Sequence, residues 1–76
     1  MTTCIKERDG RWKLENKFGM FRIELLAGDY CVRGNKKAAA YAFRSIHRMP
    51  PNEYGNFYGR QKAGNAACVQ LISNAN

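Results

Sequence analysis

The chain has 76 residues and a formal net charge of +7, from 13 lysines and arginines against six acidic residues. With 45% hydrophobic residues it is too apolar for an intrinsically disordered protein, so we expect a single small domain over residues 1–76. No apolar run is long enough to span a membrane, and the basic excess favours a polyanionic partner.

The first half of the chain predicts a small antiparallel sheet. Four segments that alternate or are rich in β-forming residues are separated by turn signals. These segments are residues 2–8, 11–15, 20–26 and 30–33. The turn signals are Asp9-Gly10, residues 16–19 and residues 27–29. We therefore expect an α+β fold with three or four strands.

Residues 35–49 are expected to form the one main helix that packs on this sheet. Asn35 is a typical N-cap residue, the alanines that follow favour a helix, and Pro50 ends it. The apolar face of the helix comprises Ala39, Ala42, Phe43, Ile46 and Met49. The sheet face expected beneath it comprises Trp12, Leu14, Phe21, Ile23 and Leu25.

The opposite face of the same helix is basic. It carries Lys37, Tyr41, Arg44 and Arg48 at helical spacing, with Lys36 beside them. Lysines in a first helical turn oppose the helix macrodipole, but they suit a bound phosphate, which the free amides would also hold. The arginines would extend the contact along a nucleic-acid backbone. The alternative explanation is an ordinary solvated helix face.

Residues 52–65 contain three glycines and predict a long loop. Tyr58, Arg60 and Lys62 interleave an aromatic ring with basic groups, a composition that suits stacking on unpaired bases and contact with phosphates. The alternative is that the loop's rings fold back over the core. The final apolar segment, residues 66–73, is either a short strand or a short helix, and its β-branched residues favour a strand.

The start of the helix resembles that of double-stranded-RNA-binding domains, in which a three-stranded sheet precedes a helix with adjacent lysines. The matching residues are Gly34, Lys36, Lys37 and Ala39. The resemblance implies that the lysines reach phosphates across a groove. A sheet followed by a helix is also similar to small DNA-binding domains of integrases and plant transcription factors. That similarity implies a sheet that contacts DNA through Arg11, Lys13 and Arg22.

Catalytic and metal-binding signals are weak. His47 is the one histidine and has no evident acid–base partner, and the cysteines lack the CxxC spacing of a zinc knuckle. We therefore expect no enzymatic activity, cofactor, metal or small-molecule substrate. The three widely spaced cysteines and the start MTTCIKERDG, which lacks a signal-peptide core, favour the cytoplasm.

Two classes of function remain. The first is a small basic, non-catalytic module that binds RNA or DNA by contacting phosphates through the basic helix face. The second is a small protein-binding regulator or inhibitor of the kind that mobile elements encode. It would dock its basic face on an acidic surface of a larger protein, including one that handles nucleic acid. The candidate contact residues for both are Lys36, Lys37, Tyr41, Arg44, Arg48, Tyr58, Arg60 and Lys62.

Overall fold

The computed structural model describes residues 1–47 and 62–75, and within these ranges it has four strands and two helices. The strands are β1 (Thr3–Arg8), β2 (Arg11–Asn16), β3 (Gly19–Leu26) and β4 (Asp29–Gly34). The helices are α1 (Lys36–His47) and α2 (Lys62–Asn74). This arrangement confirms the predicted α+β fold, with an antiparallel sheet of four strands and α1 packed on it.

The strands lie in the order β1-β2-β3-β4, and each is antiparallel to its neighbour. Tight turns at the predicted positions join them. In the β3–β4 turn both Ala27 and Gly28 have positive φ angles, of 52° and 86°. This backbone matches the twist of a two-residue hairpin, but it strains the alanine because of its Cβ.

The core lies between one face of the sheet, here called the inner face, and the two helices. Its sheet residues are Leu14, Phe21, Ile23 and Val32, and its helical residues are Ala38, Ala39, Ala42, Phe43, Ala67, Cys68 and Leu71. The Phe21 and Phe43 rings meet with their centroids 6.3 Å apart. Burying such rings removes a large apolar area from water, and this burial fixes α1 on the sheet.

The predicted packing faces are confirmed at their centres. Trp12 is half-buried and Leu25 is 40% exposed, so both lie at the margin of the predicted sheet face. The side chain of Ile46 and the whole of Met49 lie outside the described residues.

The preference for a C-terminal strand is wrong, because residues 62–74 form α2. Ala67, Cys68 and Leu71 are buried at helical spacing, whereas the β-branched Val69 is 46% exposed. The helix packs on α1 and β4, and this burial outweighs the weak local preference of the β-branched side chains. The predicted loop at 52–65 also extends too far, because Lys62 already begins α2.

Close approach of β4 to β3 depends on Gly34, where the chain leaves the sheet for α1. A Cβ added there would stand 2.8 Å from the Phe21 Cα, and the φ angle of Gly34 is +120°. Glycine therefore lets the chain turn directly over the core. Neither described helix has the length and apolarity needed to cross a membrane.

Candidate nucleic-acid interface

The turn between β2 and β3 meets the solvent side of α1 and forms a cluster of aromatic and basic side chains. We call this the aromatic–basic cluster; it comprises Lys17, Phe18, Lys37, Tyr41 and Arg44. The last four residues, with Ala40, line a shallow depression of about 340 Å³. Residues 37, 40, 41 and 44 have the spacing of a single helix face, so α1 supplies one wall and the turn supplies the other.

The two rings of the cluster are in contact with each other and with ammonium groups. Phe18 and Tyr41 pack edge to face, with centroids 5.2 Å apart. The Lys17 Nζ lies 5.3 Å from the Phe18 centroid and 5.4 Å from that of Tyr41. The Lys37 Nζ lies 5.9 Å from the Phe18 centroid. These distances are those of cation–π contacts, which hold both lysines beside the rings.

Asn16 fastens the turn to the helix. Its Oδ1 accepts a hydrogen bond from the Phe18 N–H at 2.9 Å, which sets the turn conformation. Its Nδ2 donates to the Ala38 carbonyl at 2.8 Å and to the Thr2 Oγ1 at 3.3 Å. Gly19 allows the close approach, because a Cβ there would stand 2.8 Å from the Asn35 Nδ2.

Asn35 caps α1 as the sequence predicts. Its Oδ1 accepts the Ala38 N–H at 2.9 Å, and its carbonyl accepts the Ala39 N–H at 3.1 Å. One of the first-turn amides expected to hold a phosphate is therefore already occupied by the cap. Lys37 extends toward Phe18, so its charge belongs to the aromatic–basic cluster, while Lys36 is exposed beside it.

A second basic surface lies on the opposite side of the sheet. This outer sheet face carries Arg8, Arg11, Lys13, Arg22 and Arg33, together with Glu7 and Glu24. Arg22 makes a two-pronged contact with Glu7, at 2.8 and 3.1 Å. The hydrogen bond from Arg22 and the nearby positive charges lower the pKa of the Glu7 carboxyl.

Glu24 completes the pairing on this face. Arg11 lies between the two acids, with its Nε 3.2 Å from Glu7 and 3.6 Å from Glu24. Arg8 and Arg33 approach Glu24 at 4.0 Å. The similarity to DNA-binding domains that contact DNA through a sheet led us to expect Arg11 and Arg22 to face DNA. Both arginines are instead paired with acidic residues of the same sheet face.

The basic groups near α1 have a different environment. Within the described part of the chain, no carboxylate forms an ion pair with Lys17, Lys36, Lys37 or Arg44. Helix α1 has no acidic residue in its first turn. The surface formed by these four residues is therefore positively charged, and no acidic residue in the described part of the chain neutralises it by an ion pair.

The structure brings together Lys37, Tyr41 and Arg44 from the predicted set, with Lys36 adjacent. Lys62 begins α2, and its side chain is not among those described. The remaining predicted residues, Arg48, Tyr58 and Arg60, lie outside the described residues.

The sequence predicts a turn at residues 16–19, and the candidate contact residues that it indicates do not include Lys17 and Phe18. The available signal was an aromatic residue and a lysine between the turn-forming Asn16 and Gly19.

No three His, Cys, Asp or Glu side chains of the described residues come together as metal ligands. Comparison with known protein families, with curated proteins and with solved structures finds no significant match. The resemblance of the α1 start to double-stranded-RNA-binding domains therefore carries no family assignment.

Proposed function

We propose that the protein is a small, non-catalytic nucleic-acid-binding module that contacts phosphates through the basic side of α1 and the β2–β3 turn. The observation that carries the proposal is the contrast between the two basic surfaces. Arginines of the outer sheet face are engaged by Glu7 and Glu24, whereas the cations near α1 have no described acidic partner. A polyanion gains the most binding free energy where its phosphates do not have to compete with carboxylates of the protein for the basic side chains.

The dimensions of the α1 surface support the proposal. Lys36 and Arg44 are eight positions apart in the helix, which corresponds to about 12 Å along the axis. At about 3.4 Å per nucleotide along one stacked strand, this distance covers roughly three to four phosphates. Aromatic rings beside the cations add a surface for bases, which an acidic protein surface would not require.

Salt dependence provides the test. Fluorescence anisotropy would follow binding of short labelled oligonucleotides at rising salt. If four cations engage phosphates, the plot of log affinity against log salt concentration has a slope of about −2.8 to −3.6. Raising the salt from about 50 to about 200 mM then weakens binding about 50- to 150-fold.

Two charge-matched variants locate the interface. One replaces Lys36, Lys37 and Arg44 by alanine, and the other replaces Arg8, Lys13 and Arg33 of the outer sheet face. Both lose three positive charges and retain the Arg22–Glu7 pair. We expect the α1 variant to lose roughly two units of salt slope and most of its affinity, and the sheet variant to lose much less. Equal losses would contradict the proposed interface.

The result for the unmodified protein decides between the two classes of function. If the folded wild-type protein binds neither RNA nor DNA at about 50 mM salt, the proposal is wrong. The same basic surface would then be left to dock on an acidic protein.

A further inference from the structure

Phe18 is an aromatic ring displayed at the tip of a hairpin turn, a position that usually holds polar residues. The residue is 38% exposed and forms one wall of the depression of about 340 Å³. Tyr41 packs edge to face with this ring, and the Asn16 side chain fixes the turn that carries it. The ring is thus held in a defined place while part of its surface faces outward.

The groups beside the Phe18 ring make weak cation–π contacts with it. Lys17 and Lys37 place their ammonium groups near it, and both are exposed side chains. An exposed cation–π contact is weaker than the stacking of a nucleobase on an aromatic ring. An arriving base can therefore replace an ammonium group at the ring, and the flexible lysine can move to a phosphate of the same strand.

Duplex nucleic acid cannot use such a ring in the same way. Its bases are stacked on one another, so their faces are not accessible without unstacking, whereas a single strand presents them. We infer that the aromatic–basic cluster stacks one unpaired base against Phe18, while Lys17, Lys37 and Arg44 hold the adjoining phosphates. The protein then prefers single-stranded nucleic acid, an inference that rests on the proposed function and specifies the form of its ligand.

The test compares five labelled ligands: a DNA strand, an RNA strand of the same sequence, the DNA duplex, the RNA duplex, and a DNA strand of the same length with abasic positions. We expect single strands to bind at least tenfold more tightly than duplexes. The abasic strand keeps its phosphates and loses the stacking partners, so we expect it to bind roughly tenfold more weakly than the intact strand. Comparison of the DNA and RNA strands identifies which sugar is preferred.

Variants of Phe18 assign the effect to the ring. We expect Phe18→Leu to lose roughly tenfold in affinity for single strands, with unchanged salt slope and little change for duplexes. Phe18→Tyr keeps an aromatic face and is expected to retain binding. Leu26→Ala, at an exposed apolar residue of another turn region, is the matched control. Circular dichroism and thermal unfolding verify that each variant is folded.

Failure of this inference is distinguishable from failure of the proposed function. Salt-dependent binding that is equal for duplexes, single strands and abasic strands, and unaffected by Phe18→Leu, overturns base stacking and leaves phosphate binding standing. Absence of binding to every nucleic acid overturns both.

Discussion

Replacing Asn16 by alanine should release the β2–β3 turn from α1. The side chain makes two short hydrogen bonds, at 2.9 Å from the Phe18 N–H and at 2.8 Å to the Ala38 carbonyl. Each contributes about 1 kcal/mol net, while the 3.3 Å bond to Thr2 adds little. We therefore expect Asn16→Ala to lower the free energy of unfolding by about 2 kcal/mol, a large share of the roughly 4–11 kcal/mol expected for a domain of this size.

Urea denaturation followed by the fluorescence of Trp12, the single tryptophan, measures this loss. The midpoint should fall with little change in slope, and the melting temperature should drop by roughly 8–16 °C. Glu15→Ala is the control, because that neighbouring side chain is exposed and its loss should change stability by less than about 0.5 kcal/mol.

Asn16→Asp separates the two hydrogen bonds. Aspartate keeps an oxygen for the Phe18 N–H but places a second oxygen against the Ala38 carbonyl. At neutral pH it should be at least as destabilising as alanine. At acidic pH the protonated carboxyl can donate to that carbonyl and recover part of the loss. Two results would refute the role of Asn16. One is an alanine variant whose free energy of unfolding lies within about 0.5 kcal/mol of the wild-type value. The other is an aspartate variant that is more stable than the alanine variant at neutral pH.

Three further predictions follow from backbone strain and from titration. Ala27→Asn should raise stability by roughly 0.5–1 kcal/mol in urea denaturation, because asparagine tolerates the φ of 52° better than alanine; no gain would mean that the turn is unstrained. The hydrogen bond from Arg22 lowers the pKa of Glu7 in the folded protein below its usual 4.5. The Glu7 carboxylate therefore stabilises the fold fully above pH 4.5. This stabilisation is lost as the pH falls from there through the pKa of Glu7 in the folded protein. Glu7→Gln should therefore flatten the acid side of a pH–stability curve. Burial raises the pKa of the Cys68 thiol from 9.0 to about 12 and also raises the pKa of the Cys4 thiol, so stability should fall as pH rises above 9.0. Cys68→Ala should make that fall less steep.

The sheet and α1 could be predicted because their signals are local. Asp9-Gly10 marks a hairpin turn, Asn35 marks the start of α1, and the alternation along β3 sets which side chains enter the core. Helix α2 could not be predicted in this way. Residues 66–73 form a short apolar run, and such a run has no clear period. Packing on α1 and β4 decides its conformation, and that packing is not local in sequence.

The candidate site was predicted on the helix and missed on the turn. Helical spacing alone puts Lys37, Tyr41 and Arg44 on one face. Phe18 joins them because Asn16 bonds to Ala38, a contact between residues 22 positions apart. No periodic pattern encodes such a contact, so the second wall of the depression becomes evident only in the fold.

A net charge does not by itself decide where a polyanion binds, because pairing within the fold decides which cations remain effective. In the sheet, alternation carries acids and bases to the same side, and β1 and β3 bring Glu7 to Arg22 across 15 positions. From Tyr30 to Asn52 the sequence has no acidic residue, so α1 brings no carboxylate to its own basic face. The chain's excess of basic residues thus produces two different surfaces. On the outer sheet face the arginines form ion pairs with acidic residues, whereas on the basic side of α1 no described acidic residue pairs with the cations. Of the two, the second combines unneutralised charge with the exposed ring of Phe18 and the half-buried ring of Tyr41, and it is there that phosphates and bases would meet complementary groups.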